Sequence, residues 1–160
     1  METERLTLRP MSPSDVDELR RLHADSEVMR FLDPAPVEDY LGPSFHAAVE
    51  KASGRFAGWF EFRPVGEGVV ELGYRLHREF WGLGYATEGG KALIERGFAT
   101  GGVRKVVATT MFVNTGSRRV LEKCGLRHVR TFHVDWDEPL PGAEYGEVEY
   151  ALTEEEWQQR

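Results

Sequence analysis

The chain has 160 residues, 41% hydrophobic and 29% charged, a composition that fits one globular domain able to bury its own core. Its formal charge of −7 argues against a nucleic-acid partner, and no apolar run reaches the roughly 18–20 residues needed to cross a membrane. One cysteine, Cys124, excludes an internal disulfide and a multi-cysteine metal site, so no metal is expected.

The N-terminal Met-Glu-Thr-Glu-Arg has neither the basic start nor the apolar core of a signal peptide, and the expected compartment is the cytoplasm. Residues 5–9 alternate with period two and stop at Pro10, as a strand does. Ser12-Pro13-Ser14-Asp15 starts a helix, followed by Val16, Leu19 and Leu22 at helical spacing. A short helical stretch is predicted over 27–32, ended by Pro34 and Pro36, and another over 40–52. Residues 56–63 read as a strand with Phe56, Gly58, Phe60 and Phe62 on one face. A turn at 64–68 leads to a strand over 69–76, with Val70, Leu72, Tyr74 and Leu76 on one side and Glu71, Gly73 and Arg75 on the other. Gly73 inside it predicts a bulge or a close backbone approach.

A helix over 86–99 carries Gly90, Leu93, Ile94, Gly97 and Phe98 on one stripe, small enough to pack tightly on a sheet. A strand over 106–113 follows, then a helix over 114–124 ended by Gly125 as its left-handed cap. Strands over 129–136 and 148–152 close the chain, and residues 135–149, which join them, hold six acids and no Lys or Arg, either a solvated hairpin or a rim that attracts an amine. The order β-α-α-β-β-α-β-α-β-β is that of a mixed α/β domain.

The most informative stretch is 81–88, Trp81-Gly82-Leu83-Gly84-Tyr85-Ala86-Thr87-Glu88, lying between a predicted strand and a predicted helix. Gly82, Gly84 and Ala86 let a ligand approach the backbone, and the first amides of the helix have no partner within it, which suits a phosphate or pyrophosphate. A P-loop fails here, because Gly90-Lys91 is followed by Ala92 and its first glycine would fall on Tyr85. A dinucleotide fingerprint fails because Thr87 stands where the third glycine is needed and the next strand ends without an acid. A strand–turn–helix that holds pyrophosphate without metal or lysine is what is left.

These residues resemble the GNAT acyltransferases, in particular their RimJ/RimL-like branch. Residues 81–86 are similar to the family's Arg/Gln-x-x-Gly-x-Gly/Ala signature in its Trp-Gly-x-Gly-Tyr-Ala-Thr-Glu variant. The opening Thr3–Pro10 and the segment from Asn114 to Leu126, with Ser117 and Glu122-Lys123-Cys124-Gly125, are similar to that branch as well, as is the closing Glu149-Tyr150-Ala151-Leu152.

The resemblance implies a single GNAT-like domain over 1–160, with a central mixed sheet, about four helices, and splayed strands that hold acetyl-CoA. It implies direct N-acetyl transfer to a primary amine, either a protein N-terminus or a small molecule, and dimers are common in the family. Amides of Trp81, Gly82, Leu83, Gly84, Tyr85, Ala86 and Thr87 would bind the pyrophosphate, and Leu76 and His77 would pair with pantetheine. An aliphatic ammonium with a pKa of about 10 must lose a proton before attack, the oxyanion needs N–H donors, and the thiolate needs an acid. The family's tyrosine position is Leu121 here, and Ser117 aligns with the serine of this branch; it is equally readable as a first-turn capping residue. Glu71 is the first candidate for the base, or else an exposed strand carboxylate. Asn114 is a helix cap or a ligand contact, and Arg119 a phosphate contact or part of a solvated helix face. Glu88 reads as a helix-dipole residue, and Cys124 as a small apolar residue at a helix end rather than an acyl carrier. Relative to the family, a strand near residue 53 looks shortened or missing. The competing reading is a non-catalytic acyl-CoA-binding sensor or subunit.

Overall fold

The computed structural model describes residues 1–32, 35–100 and 102–160. Its strands are β1 (Leu6–Pro10), β2 (Phe45–Glu50), β3 (Phe56–Gly66), β4 (Val69–Leu76), β5 (Lys105–Met111), β6 (Arg127–Phe132) and β7 (Glu147–Thr153). They make one seven-stranded sheet in the order β1-β2-β3-β4-β5-β7-β6, antiparallel except where β4 meets β5. A parallel neighbour requires a crossover, and α2 (Tyr85–Ala99) supplies it. The other helices are α1 (Val16–His23), α3 (Thr115–Lys123) and α4 (Glu154–Gln158). The result is the mixed α/β sheet with four helices that the family resemblance implies.

Alternation along the strands builds two cores. Phe60, Leu72, Val106 and Tyr150 point to the side of α2 and α3, while Trp59, Ala47 and Phe56 join Leu19 and Leu22 of α1 on the other side. On the first side α2 lies unusually close to the sheet. A Cβ at Gly89 would stand 2.3 Å from the Phe60 ring, and one at Gly97 would stand 2.9 Å from Phe62. Small residues on that stripe therefore set the helix height above β3 and β4.

Four expectations are corrected. Residues 40–52 are not a helix: Val37–Leu41 forms a 3-10 turn and Phe45–Glu50 is β2, the strand that seemed missing. Ala47 and Ala48 suit a helix locally, but pairing with β1 and β3 and complete burial on both faces override that preference. Residues 27–32 form isolated turns rather than a helix, and Pro34 lies outside the described residues.

Third, β3 does not keep its aromatic side chains on one face. Val49 pairs with Phe56 and Ala48 with Gly58, so Ala57 is a bulge that sends Phe56 to the α1 side. Fourth, β4 has no bulge at Gly73, since its register with β3 runs unbroken from Gly58↔Leu76 to Pro64↔Val70. The close approach lies across the ladder at Gly58, whose φ is +151° and whose Cβ would fall 2.0 Å from the Arg75 carbonyl oxygen.

The feature that positions the site is the short contact of β4 with β5. Only Val69↔Lys105, Val70↔Val106 and Glu71↔Val107 pair. Beyond Glu71 the two strands diverge, and β4 from Leu72 onward shows a main-chain edge without a strand beside it.

Candidate active site at the split in the sheet

A cavity of about 420 Å³ occupies that split and reaches both faces of the sheet. On one side it is bounded by the turn before α2 and by Asn114, Ser117 and Lys123 at α3. On the other it meets Glu27, Arg30 and Phe31 from the segment after α1, with Tyr74, Arg75 and Leu76 of β4 between.

The turn is built for an anion. Gly82 and Gly84 have φ of +73° and +83°, a left-handed conformation that side chains resist. They bring the chain into α2, whose first internal bond runs from the Glu88 amide to the Gly84 carbonyl at 2.9 Å. The amides of Gly82 through Thr87 therefore have no acceptor among the described residues, and they stand at the positive end of a 15-residue helix. Trp81 differs, because its amide donates to the Arg78 carbonyl at 3.0 Å. Its indole donates to the Leu76 carbonyl at 2.9 Å.

The N-terminal segment holds the turn from outside. Glu88 accepts from the Thr3 hydroxyl at 2.5 Å, the Arg5 amide at 2.8 Å and the Arg5 Nε at 2.7 Å, while Arg5 Nη1 donates to the Leu83 carbonyl at 2.8 Å. Burial pushes the Glu88 carboxyl up, but these donors outweigh it and hold the group below its ordinary value. Glu88 thus ties β1 to the start of α2 as a committed anion.

Asn114 caps α3, its Oδ1 accepting from the Ser117 amide at 3.2 Å. That cap places Ser117 in the first turn, facing the cavity beside the Tyr74 phenol. Burial pushes the Tyr74 pKa up, and the contact with Ser117 only partly reverses this, so Tyr74 is a neutral donor at neutral pH. Sequence reading placed Tyr74 on a core face and missed it. The signal was its period-two alignment with Leu76 on the strand entering the turn.

Other expected residues fall elsewhere. Glu71 lies on the paired stretch of β4, opposite Val107, with its carboxylate 2.7 Å from Arg63, and does not line the cavity. Buried His77 gives its amide to the Ala57 carbonyl at 2.8 Å, and its Nε2 is 3.3 Å from Arg21 Nη2. Desolvation, then the Arg21 charge, lowers its pKa, so the ring is neutral and structural. Arg119 is exposed and outside the lining, whereas Lys123 borders the cavity. Two residues along a helix turn by about 200°, so Arg119 faces away from Ser117; Lys123, two turns on from the cavity-lining Gly116, returns to the cavity face. Cys124 is buried against α2, and its thiol is pushed up to about 11 by burial, which removes it as a nucleophile. The acidic 135–149 loop packs at the end of β5, where Tyr145 stacks on Phe112 at 6.3 Å, and supplies no cavity residue.

Residues 5–127 match the family model described as Acetyltransferase (GNAT) domain. A relative from Aspergillus fumigatus, FsC-acetyl coenzyme A-N(2)-transacetylase, is 34% identical over 98% of this chain and 77% of its own length. The crystal structure of a GNAT-family acetyltransferase from Bacillus anthracis is 25% identical and superposes with a TM-score of 0.82, covering 97% of this chain and 98% of that one. RimL, a ribosomal-protein alpha-N-acetyltransferase solved in complex with coenzyme A, shares the fold at 20% identity, with a TM-score of 0.76 over 94% of this chain and 95% of its own. With the matched residues running from the first strand through the anion-binding turn to α3, the chain belongs to the GNAT acetyltransferase family.

Proposed function

We propose that residues 1–160 act as one N-acetyltransferase of the RimJ/RimL-like branch, which transfers an acetyl group from acetyl-CoA directly to a primary amine. The observation that carries this reading is the cavity through the split sheet, with unpaired amides at 82–87 on one side and a separate mouth after α1 on the other. Donor phosphates suit the α2 end, aided by Lys123. Pantetheine amides suit the free edge of β4 beyond Glu71, where main-chain groups lack a strand partner. The acceptor then enters between α1 and β4.

The amine loses its proton to solvent at the acceptor mouth and attacks the thioester carbonyl. A C–N bond forms, the C–S bond breaks, and the thiolate takes a proton from the Ser117 hydroxyl or the Tyr74 phenol. Main-chain N–H groups on the open edge of β4 stabilise the developing oxyanion. Glu71 is not assigned as the base, given its ion pair with Arg63 away from the cavity, so Glu71→Gln is expected to leave kcat within about twofold. A sensor that only binds acyl-CoA is disfavoured by the two hydroxyl donors on the cavity wall and by the transferase names of the relatives.

Release of free thiol from acetyl-CoA, followed with a panel of primary amines, tests the proposal. Amine-dependent release above the hydrolysis rate is expected. Tight acetyl-CoA binding with no amine-dependent release would leave the sensor reading in its place.

A further inference from the structure

The acceptor side of the cavity holds a charge that the fold leaves unanswered. Arg75 pairs with Trp59 across the β3–β4 ladder, which directs its side chain to the α1 face. Its Nε is buried without a hydrogen-bond partner, and its guanidinium makes no ion pair among the described residues, yet the side chain borders the cavity. More exposed arginines of this chain are matched: Arg9 with Asp15 at 2.8 Å, Arg63 with Glu61 at 2.6 Å, Arg127 with Glu156 at 2.7 Å. The enclosed Arg75, unlike these, has no anion among the described residues.

Its neighbours do not supply one. His23 accepts the Trp59 indole N–H on Nε2 at 3.1 Å, so that nitrogen is unprotonated. Burial first, then the Arg75 charge, keeps this imidazole neutral. Tyr40 packs edge-on against His23 and tilted against Trp59, with ring centroids 4.6 and 5.3 Å apart, and Tyr74 flanks Arg75 on β4; both are neutral phenols pushed up by burial. Desolvation lowers the guanidinium's own pKa, but an arginine stays charged. Arg30 and Glu27 border the same mouth but are exposed, where solvent and salt screen them.

We propose that Arg75 forms an acceptor subsite for a carboxylate, so that the amine acetylated by this enzyme carries a carboxylate on the same molecule. An enclosed guanidinium with its N–H fork open to a cavity is a strong acceptor site for a planar oxyanion, because binding pairs a charge already desolvated by folding. A single enclosed cation balances a monoanion, which favours a carboxylate over a phosphate dianion. The features suited to donor phosphates, the 82–87 amides and Lys123, border the opposite side of the cavity. The subsite rests on the acetyltransferase reading only for the statement that its ligand is an amine.

The test uses matched acceptors: an amino acid, its methyl ester, and the amine left when the carboxyl is removed. Each is assayed for thiol release and, separately, titrated by calorimetry into the 160-residue protein saturated with coenzyme A. The wild type is expected to favour the free carboxylate by at least about tenfold in kcat/KM and in Kd. In Arg75→Met that ratio collapses toward one, with Arg75→Lys intermediate, while coenzyme A affinity reports that each variant has folded. Turnover without carboxylate preference, or a preference that survives in Arg75→Met, overturns the subsite and leaves the acetyltransferase reading intact. Carboxylate-selective binding that depends on Arg75, without turnover of any amine, supports the subsite and overturns the acetyltransferase reading. No binding of any acceptor alongside normal coenzyme A binding overturns the subsite.

Discussion

The two mouths of the cavity are made from different materials. The side at α2 is main chain: two left-handed glycines, a run of amides at 82–87 and a helix end, with Arg5 and Glu88 bracing it from outside. The side toward α1 is side chain: Arg75 with Glu27, Val28, Arg30 and Phe31 line it, and His23, Tyr40 and Trp59 lie near Arg75 outside the lining. Main-chain recognition tolerates little change in backbone conformation but is indifferent to most side chains nearby. Side-chain recognition can be retuned by single substitutions without disturbing the turn. A family can therefore keep one donor while changing acceptors, which is why the fold does not name the substrate.

The largest expected effect breaks the main-chain side. Gly84→Val places a β-branched residue at φ of +83°, with Arg5 Nη2 only 3.3 Å from its Cβ. Coenzyme A affinity measured by calorimetry should fall by roughly 100-fold, from backbone strain and loss of the amide alignment together. Retained affinity would mean the amides do not hold the donor.

Next comes the pair of hydroxyls that share the cavity wall. Ser117→Ala and Tyr74→Phe should each lower kcat by about 10- to 100-fold with little change in donor binding. If both groups feed one proton to the thiolate, the double variant loses less than the product of the single losses. Loss confined to Ser117 would reduce Tyr74 to packing.

Legibility in the sequence divides along the same line as the two mouths. A turn whose function lies in its backbone is written locally, in Gly82, Gly84 and the residues that follow, and so is the Asn114 cap that sets Ser117. The acceptor side is written in residues that meet only after folding. Arg75 reads as one member of an alternating strand, and nothing in the sequence states that Trp59 and α1 enclose it with no ion pair among the described residues. β2 was misread for the same reason, because Ala47 and Ala48 carry a helical preference that only their neighbours on both sides overrule. Glu71 and Arg119 lie on the expected elements but away from the cavity: Glu71 shares the strand face of Arg75 and sits too far back along β4, whereas Arg119 has the wrong helical phase. Glu71 sits where β4 and β5 are still paired, and Arg119 faces about 200° away from Ser117.

That phase argument gives a smaller effect. Lys123→Ala should weaken coenzyme A binding several-fold at low ionic strength, with the difference fading in high salt, whereas Arg119→Ala should leave it unchanged. The reverse pattern would rotate α3 away from the orientation described.

The smallest effect concerns stability. Glu147 Oε2 is buried without a hydrogen-bond partner, and desolvation pushes the carboxyl above its ordinary value. A raised folded-state pKa stabilises the protein below the ordinary carboxylate range, and that contribution is lost as pH rises through the folded value. Glu147→Gln should therefore raise Tm at pH 7, with the gain shrinking toward zero as both forms become neutral at acidic pH. A lower Tm at pH 7 would mean that the ionised carboxylate has a partner.

The central claim is that donor and acceptor occupy opposite mouths of one cavity together, with no covalent intermediate on the buried Cys124. Initial velocities with acetyl-CoA and an active amine, each varied at several fixed levels of the other, test it most directly. Lines that intersect in double-reciprocal plots are the predicted result, because both substrates must be bound before the acetyl group moves. Parallel lines, with an acetylated protein isolated in the absence of amine, would contradict it.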